Sequence, residues 1–332
     1  MRVLMTADAV GGVWTYAREL AAALDADVQM ATMGPPPSGV EPGVHVSTFA
    51  LEWEDDPWED VGRAGRWLLE LEEELRPDVV HVNGYAHAAL PWRAPVVVVA
   101  HSDVVSWWWA VHGEAPPARW ERYRRSVEAG LGAADVVVAP TRAVMHDLER
   151  HYDLAGERVV IPNGRNASIP PAAKEPFVLA SGRFWDAAKN IAALEAVRDD
   201  VPWPIVLVGD GTPGGRVGTH EHARLLARAG VFCSPALYEP FGLGILEAAQ
   251  AGCALVLGDI PSLREIWAGA ALFVPPRDRE ALAAALQGAC SDAELRGDLA
   301  ARAARRSARY RADTMATAYA ALYERVLDTV PA

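Results

Sequence analysis

The chain has 332 residues, 51% of them hydrophobic and 23% charged, and a formal net charge of −13. At the usual ~100–200 residues per domain this length suggests two domains, and the composition is that of a globular protein with a sizeable core, which excludes a disordered or fibrous chain. The acidic balance argues against a nucleic-acid partner, because such a binder needs a cationic face to replace phosphate counterions.

The opening MRVLMTADAV enters a strand at once, so no secretory leader is expected. No run approaches ~18–20 apolar residues, so no membrane span is expected either. Residues 2–6 read as a buried strand, followed by the loop Ala7 to Gly12 and an amphipathic helix from Val13 to Leu24. A strand at VQMATM ends in the turn GPPPSG, and short apolar runs follow at VHVSTF, VVHVN, VVVVA and VVVAP. Their alternation with helical segments is the pattern of a parallel sheet covered on both faces. After VVIPNGRN, the Pro-rich ASIPPAAKEP suits neither helix nor central strand and reads as a linker. A second doubly wound set follows at FVLAS, PIVLVG, VFCSP, ALVLG and ALFVP, with helices after Lys189, Thr219, Phe241, Ser262 and Asp278 and a last helix from Asp313 to Leu327. The expected division is 1–165, 175–310 and a terminal helix in 311–332, with packing back on the first domain as one option for that helix. Cys233, Cys253 and Cys290 lie in apolar segments without metal-ligand spacing, so buried free thiols in a reducing compartment are expected.

Chemistry-bearing residues gather where strands end, which is where ligands sit in open α/β sheets. In SPALYEPFGLGILE a strand gives way to a helix expected to begin near Phe241 or Gly242. Unpaired N–H groups around Gly242, Leu243 and Gly244, with the helix dipole, make an anion site framed by Glu239 and Glu247. The two carboxylates are otherwise a loop charge and a surface charge, but Glu247 stands in an apolar run where an unpaired carboxylate costs free energy. Arg183 and Lys189 in SGRFWDAAKN suit a diphosphate, or else are solvated surface charges. Gly11 and Gly12 open the first helix, either to let backbone approach a phosphate or sugar or simply to make a tight turn; GxGxxG is absent, which counts against an NAD enzyme. His101 ends the most hydrophobic strand of the first half, as a cleft residue able to donate to a sugar oxygen or as a structural histidine. Trp107, Trp108 and Trp109 cannot all be buried on one helix face, so at least one is expected on an acceptor surface or an interface.

The segments RVLMTADAVGGVWTYARELAAAL, VVIPNGRN, SGRFWDAAKN, VLVGDG and SPALYEPFGLGILEAAQAGCALVLGDIPSLREI, with ALFVPPRD after them, resemble the family-4 retaining glycosyltransferases over nearly the whole chain. The resemblance implies the GT-B fold, two doubly wound Rossmann-like parallel-sheet domains facing an interdomain cleft. It implies sugar transfer from a nucleotide-diphosphate sugar to a hydroxyl-bearing small molecule, glycan or lipid-linked acceptor, with retention and without a metal or other cofactor. By the same resemblance Arg183 and Lys189 neutralise the diphosphate, and Glu247 holds the ribose. Glu239 meets the transferred sugar, and the backbone of Phe241, Gly242, Leu243 and Gly244 binds sugar and phosphate. His101 lies near the site of attack, and Gly12, beside Gly11, lets the first loop close over the phosphates. Between VLVGDG and VFCSP the chain is shorter than the family pattern, so a helix is expected to be lost and GRVG to keep a short strand, with base recognition around Gly209, Gly211 and Val217 altered. Asp8, Trp14, Tyr85, Asp103 and Trp107 are the acceptor candidates, with the Pro-rich GPPPSGVEPG and acidic EWEDDPWED as further acceptor-side stretches. The expected setting is cytoplasmic, with at most peripheral membrane contact. The alternatives are a nucleotide-sugar-binding protein without turnover and a nucleotide-sugar epimerase of the same fold.

Overall fold

A computed structural model describes residues 1–8, 11–35, 42–170, 172–211, 215 and 217–329. Val10 of the glycine loop, most of GPPPSGVEPG and parts of the linker and of GRVG lie outside them. The chain forms two units, one of Met1–Trp109, Glu114–Gly164 and the C-terminal helix, the other of Ala110–Gly113 and Arg165–Arg311.

The first unit begins with β1 (Arg2–Asp8), α1 (Gly12–Ala23), β2 (Asp27–Met33), β3 (Val44–Val46) and α2 (Trp58–Leu75). It continues through β4 (Val79–Val82), β5 (Val96–Val99), α3 (Val104–His112, whose residues from Ala110 on count with the second unit), α4 (Glu121–Ala133), β6 (Val136–Ala139), α5 (Arg142–His151) and β7 (Glu157–Val160). The strands make one seven-stranded sheet in the order β3-β2-β1-β4-β5-β6-β7, parallel throughout. Strands β4, β5 and β6 are valine-rich and buried at every position, as a parallel sheet covered on both faces requires. The chain reverses its direction across the sheet between β1 and β4, so the loops after those strands flank a switch point.

The second unit holds β8 (Glu175–Ser181), α6 (Ile191–Ala196), β9 (Ile205–Val208), α7 (Thr219–Arg228), β10 (Ala229–Ser234) and α8 (Leu243–Gln250). After these come β11 (Ala254–Gly258), α9 (Pro261–Trp267), β12 (Leu272–Val274), α10 (Arg279–Ser291) and α11 (Ala293–Ser307). Its five strands run β12-β11-β10-β8-β9, again parallel, with the switch point between β8 and β10. The last helix, α12 (Ala312–Thr329), packs with α1 in the first unit and buries Tyr319, Leu322 and Tyr323. Among the described residues no helix is long and apolar enough to cross a membrane.

Three expectations need correction. The run VHVSTF is a strand only over Val44–Val46, where it pairs with β2 at the sheet edge. In the short segment before β10, Gly215 and Val217 of GRVG join no strand, while the helix expected after Thr219 is present as α7, anchored to the core by the buried Leu226 and Ala227. Finally, α8 begins at Leu243: Gly242 caps it at φ +85°, a left-handed conformation open to glycine and strained for other residues, and Phe241 is buried ahead of the helix.

Candidate active site

The second unit gathers its charged residues at the carboxyl ends of β8 and β10, on either side of the switch point. Lys189 closes a 3₁₀ turn over Ala187–Lys189, capped by the Asp186 carboxylate accepting from the Ala188 N–H at 3.0 Å. The next residue, Asn190, donates through Nδ2 to the Pro235 and Pro276 carbonyls at 2.9 and 2.6 Å, and the Leu237 N–H donates to Ala188 O at 2.8 Å. These bonds sew the Lys189 turn to the loop carrying Glu239. Lys189 Nζ then lies 2.6 Å from Glu239 Oε2, with both side chains mostly shielded. Ser262 Oγ fixes the Glu239 backbone from α9 by donating to its carbonyl at 2.6 Å.

Arg183 is held more loosely. One guanidinium nitrogen is 3.4 Å from Asp186 Oδ2, and the group lies 5.2 Å over the ring of Trp185, which is 59% exposed. A cation on an exposed indole face keeps most of its hydration, so Arg183 retains a charge that a ligand can reach.

Helix α8 opens between these groups. Gly242 provides no side-chain cap, and the first intrahelical bond runs from the Leu246 N–H to Gly242 O, so the N–H groups of Leu243, Gly244 and Ile245 have no acceptor within the helix. With the helix dipole behind them they favour an anion. One turn on, Glu247 is buried and paired with Arg165, a residue of the NGRN segment; the Nδ1 of His222 on α7 is 3.6 Å from the other carboxylate oxygen. Arg165 is itself tied down, its N–H donating to Tyr310 O at 3.1 Å and its carbonyl accepting from Gln250 Nε2 at 2.7 Å. Burial, and then the Arg165 charge, hold the His222 imidazole below its ordinary pKa, so it faces Glu247 as a neutral ring. Gly209 ends β9 where a Cβ would lie 1.8 Å from the Gly182 carbonyl oxygen, so only glycine lets the β8 and β9 loops close up there. Gly211 follows at φ +89°.

In the first unit His101 follows β5 and its Nε2 is 2.8 Å from Asn83 Oδ1 at the end of β4. The same oxygen is 3.1 Å from Nε2 of the fully buried His81, whose Nδ1 is 2.6 Å from Tyr323 Oη on α12. Tyr16 of α1 sets its ring edge-on to His101 at 4.5 Å between centroids. Burial pushes the His81 pKa down to about 4 and the His101 pKa, beside His81, to about 3. Both rings are therefore neutral at ordinary pH.

The acceptor candidates divide. Tyr85 is buried and donates from its hydroxyl to Ser102 O at 3.1 Å. Asp103 is buried too, capping α3 by accepting from the Ser106 N–H at 2.9 Å and from Tyr152 Oη at 3.0 Å. Internal partners thus occupy both side chains. Asp8, Trp14 and Trp107 are partly buried, Gly11 and Gly12 are exposed, and Trp109 is 43% exposed and stacked on His151. In the acidic stretch Glu52 turns inward, accepting from the Tyr85 and Ala86 N–H groups at 3.0 and 2.7 Å, and burial raises its pKa. Sequence reasoning missed Arg165, His222, Asn83, His81 and Tyr323. Only Asn83, a polar residue directly after a buried strand, carried a local signal. Among the described residues no group of His, Cys, Asp and Glu is arranged to hold a metal ion.

Comparison with known proteins places these features in a family. The family Glycosyltransferase Family 4 matches residues 10–168, and Glycosyl transferases group 1 matches residues 214–306. A phosphatidyl-myo-inositol mannosyltransferase of Mycolicibacterium smegmatis is 30% identical over 56% of this chain and 57% of its own length. A glycogen synthase of Mycobacterium tuberculosis is 29% identical over 97% of this chain and 94% of its own. Among solved structures, sucrose-phosphate synthase from Thermosynechococcus elongatus superposes with TM-score 0.85 at 21% identity, covering 99% of this chain and 100% of that one. Anabaena Alr3699/HepE in complex with UDP superposes with TM-score 0.77 at 16% identity, covering 98% and 100%. Two parallel Rossmann-like sheets, their superposition on these structures and the two matched families together lead to one assignment: the chain belongs to the family-4 glycosyltransferases, retaining hexosyltransferases of GT-B fold that draw their sugar from a nucleotide sugar.

Proposed function

We propose that the protein transfers a hexose from a uridine diphosphate sugar to the hydroxyl of a small molecule, glycan or lipid-linked acceptor. The observation that carries this reading is the open N-terminus of α8, bracketed by the Lys189–Glu239 and Arg165–Glu247 pairs. In this reading the diphosphate takes the N–H groups of Leu243, Gly244 and Ile245 and the charges of Arg183 and Lys189. Glu239 turns to the sugar hydroxyls as Lys189 turns to phosphate, Glu247 holds the ribose, and His101 contacts the reacting sugar. The acceptor oxygen bonds to the anomeric carbon on the face the phosphate leaves, the carbon–phosphate-oxygen bond breaks, and the acceptor proton passes to the departing phosphate oxygen. The protein's part is to position the reactants and to stabilise the charge that grows on the leaving diphosphate. Uridine is favoured because the Anabaena protein of the same fold is seen with UDP. A cytoplasmic setting, with at most peripheral membrane contact, accords with the free, buried cysteines Cys233, Cys253 and Cys290.

A melting series with UDP, GDP, ADP and dTDP tests the nucleotide assignment. A ligand at 100 times its Kd stabilises the fold by about 2.7 kcal/mol, so UDP should raise the midpoint most. Equal shifts for all four, or none, refute the uridine reading. Hydrolysis of UDP-glucose followed by NMR then separates transfer chemistry from mere binding: release of glucose with the α configuration first is expected, and tight UDP binding with no turnover of any donor would count against an enzyme.

A further inference from the structure

Asn83 is held in one orientation. Its Nδ2 is 2.7 Å from the Thr6 carbonyl oxygen, which can only accept, while its own N–H donates to Thr6 Oγ1 at 2.9 Å. The side-chain oxygen therefore faces the two histidines, and a carbonyl oxygen only accepts. Both His101 and His81 must then carry their proton on Nε2, at 2.8 and 3.1 Å from that oxygen. His81 fits the same assignment: its Nδ1, left as a lone pair, accepts from the Tyr323 hydroxyl at 2.6 Å. On His101 the Nδ1 lone pair makes no hydrogen bond among the described residues, and the residue is only partly buried.

We propose that Asn83 is a positioning residue for the transfer reaction: it fixes the tautomer of His101 so that Nδ1 meets the substrate as a hydrogen-bond acceptor for a sugar hydroxyl, not as a donor. The proposal rests on the reading of His101 as a substrate contact. It reverses the expectation from sequence that this imidazole donates to a sugar oxygen. The groups packed around the ring leave the arrangement undisturbed: Tyr16 from α1 holds its phenol pKa well above 10, and His81 from β4, with Tyr319 and Tyr323 of α12 behind it, is neutral at ordinary pH. An acceptor at this point selects for a free hydroxyl on the sugar, because a deoxy or O-methyl sugar leaves the lone pair without a proton.

Long-range ¹H–¹⁵N NMR on the intact protein reads the tautomer directly, with the His101 signals assigned by their loss in His101→Ala. The expected spectrum shows Nε2 protonated and Nδ1 bare. Asn83→Leu should then mix the tautomers and lower kcat for UDP-glucose hydrolysis about tenfold, with KM changed less than twofold. Asn83→Asp, which places a carboxylate beside the ring, should favour the imidazolium and move the acid limb of the pH–kcat profile to higher pH. A wild-type spectrum with Nδ1 protonated overturns the proposal whatever the variants do. So does a folded Asn83→Leu enzyme with unchanged kcat. Full turnover by His101→Ala overturns instead the reading of His101 as a substrate contact, and the proposal with it.

Discussion

Lys189 and Glu239 meet at 2.6 Å, so the two residues proposed to divide the donor between them neutralise each other in the free protein. Each must exchange that partner for a ligand group, and the pair serves to hold both side chains in place until then. Lys189→Ala should therefore lower kcat by about 10³-fold, equivalent to about 4 kcal/mol of lost transition-state stabilisation. Its cost in stability should be the smaller effect, because the Glu239 carboxylate sits in a loop from which it can turn toward water once Lys189 is gone. Turnover assays beside thermal melts check this, and unchanged turnover would remove Lys189 from the diphosphate. Two histidines, His81 buried and His101 partly so, make a second residue-level prediction. His81 and His101 have folded pKa values near 4 and 3, below the ordinary 6.5, so the unfolded chain binds more protons between those limits. Their contribution to stability is complete above pH 6.5 and is lost as pH falls toward 4 and 3. Denaturant titrations from pH 7.5 to 4.5 should show falling stability, with a shallower slope in a folded His81→Phe variant.

At the scale of elements, the loops after β8, β9 and β10 are built by close backbone approach. Gly209 is the tightest point, since a Cβ there would sit 1.8 Å from the Gly182 carbonyl oxygen. Gly209→Ala must push the β8 and β9 loops apart, with an expected loss of about 2–3 kcal/mol in a denaturant melt and of UDP stabilisation in the same sample. The order of these elements was legible from alternating apolar runs and helices. The start of α8 was not, because Phe241 continues the apolar pattern and nothing local announces that Gly242 turns left-handed before it. The helix after Thr219 was legible and is α7, whereas the short strand expected at GRVG was not borne out, since Gly215 and Val217 join no strand.

On the scale of the whole chain, α12 returns to the first unit and closes its core with Tyr319, Leu322 and Tyr323, and its Tyr323 hydroxyl holds His81. Removal of α12 should expose that apolar surface and leave the buried His81 Nδ1 without a donor. A chain ending at Arg311 should show early proteolysis of the first unit, while fragments from Arg165–Arg311 persist; equal resistance of both units would count against this role. The sequence alone determined the pair of parallel sheets, since runs of valine such as VVVV are stable only when buried on both faces, and it determined that Lys189, Glu239 and His101 follow strands and that Glu247 lies on the helix after β10. What only the tertiary structure decided was who partners them. Arg165 with Glu247 spans 82 positions and His81 with Tyr323 spans 242, contacts that no local periodicity encodes because the fold, not the neighbouring chain, brings those groups within hydrogen-bond reach.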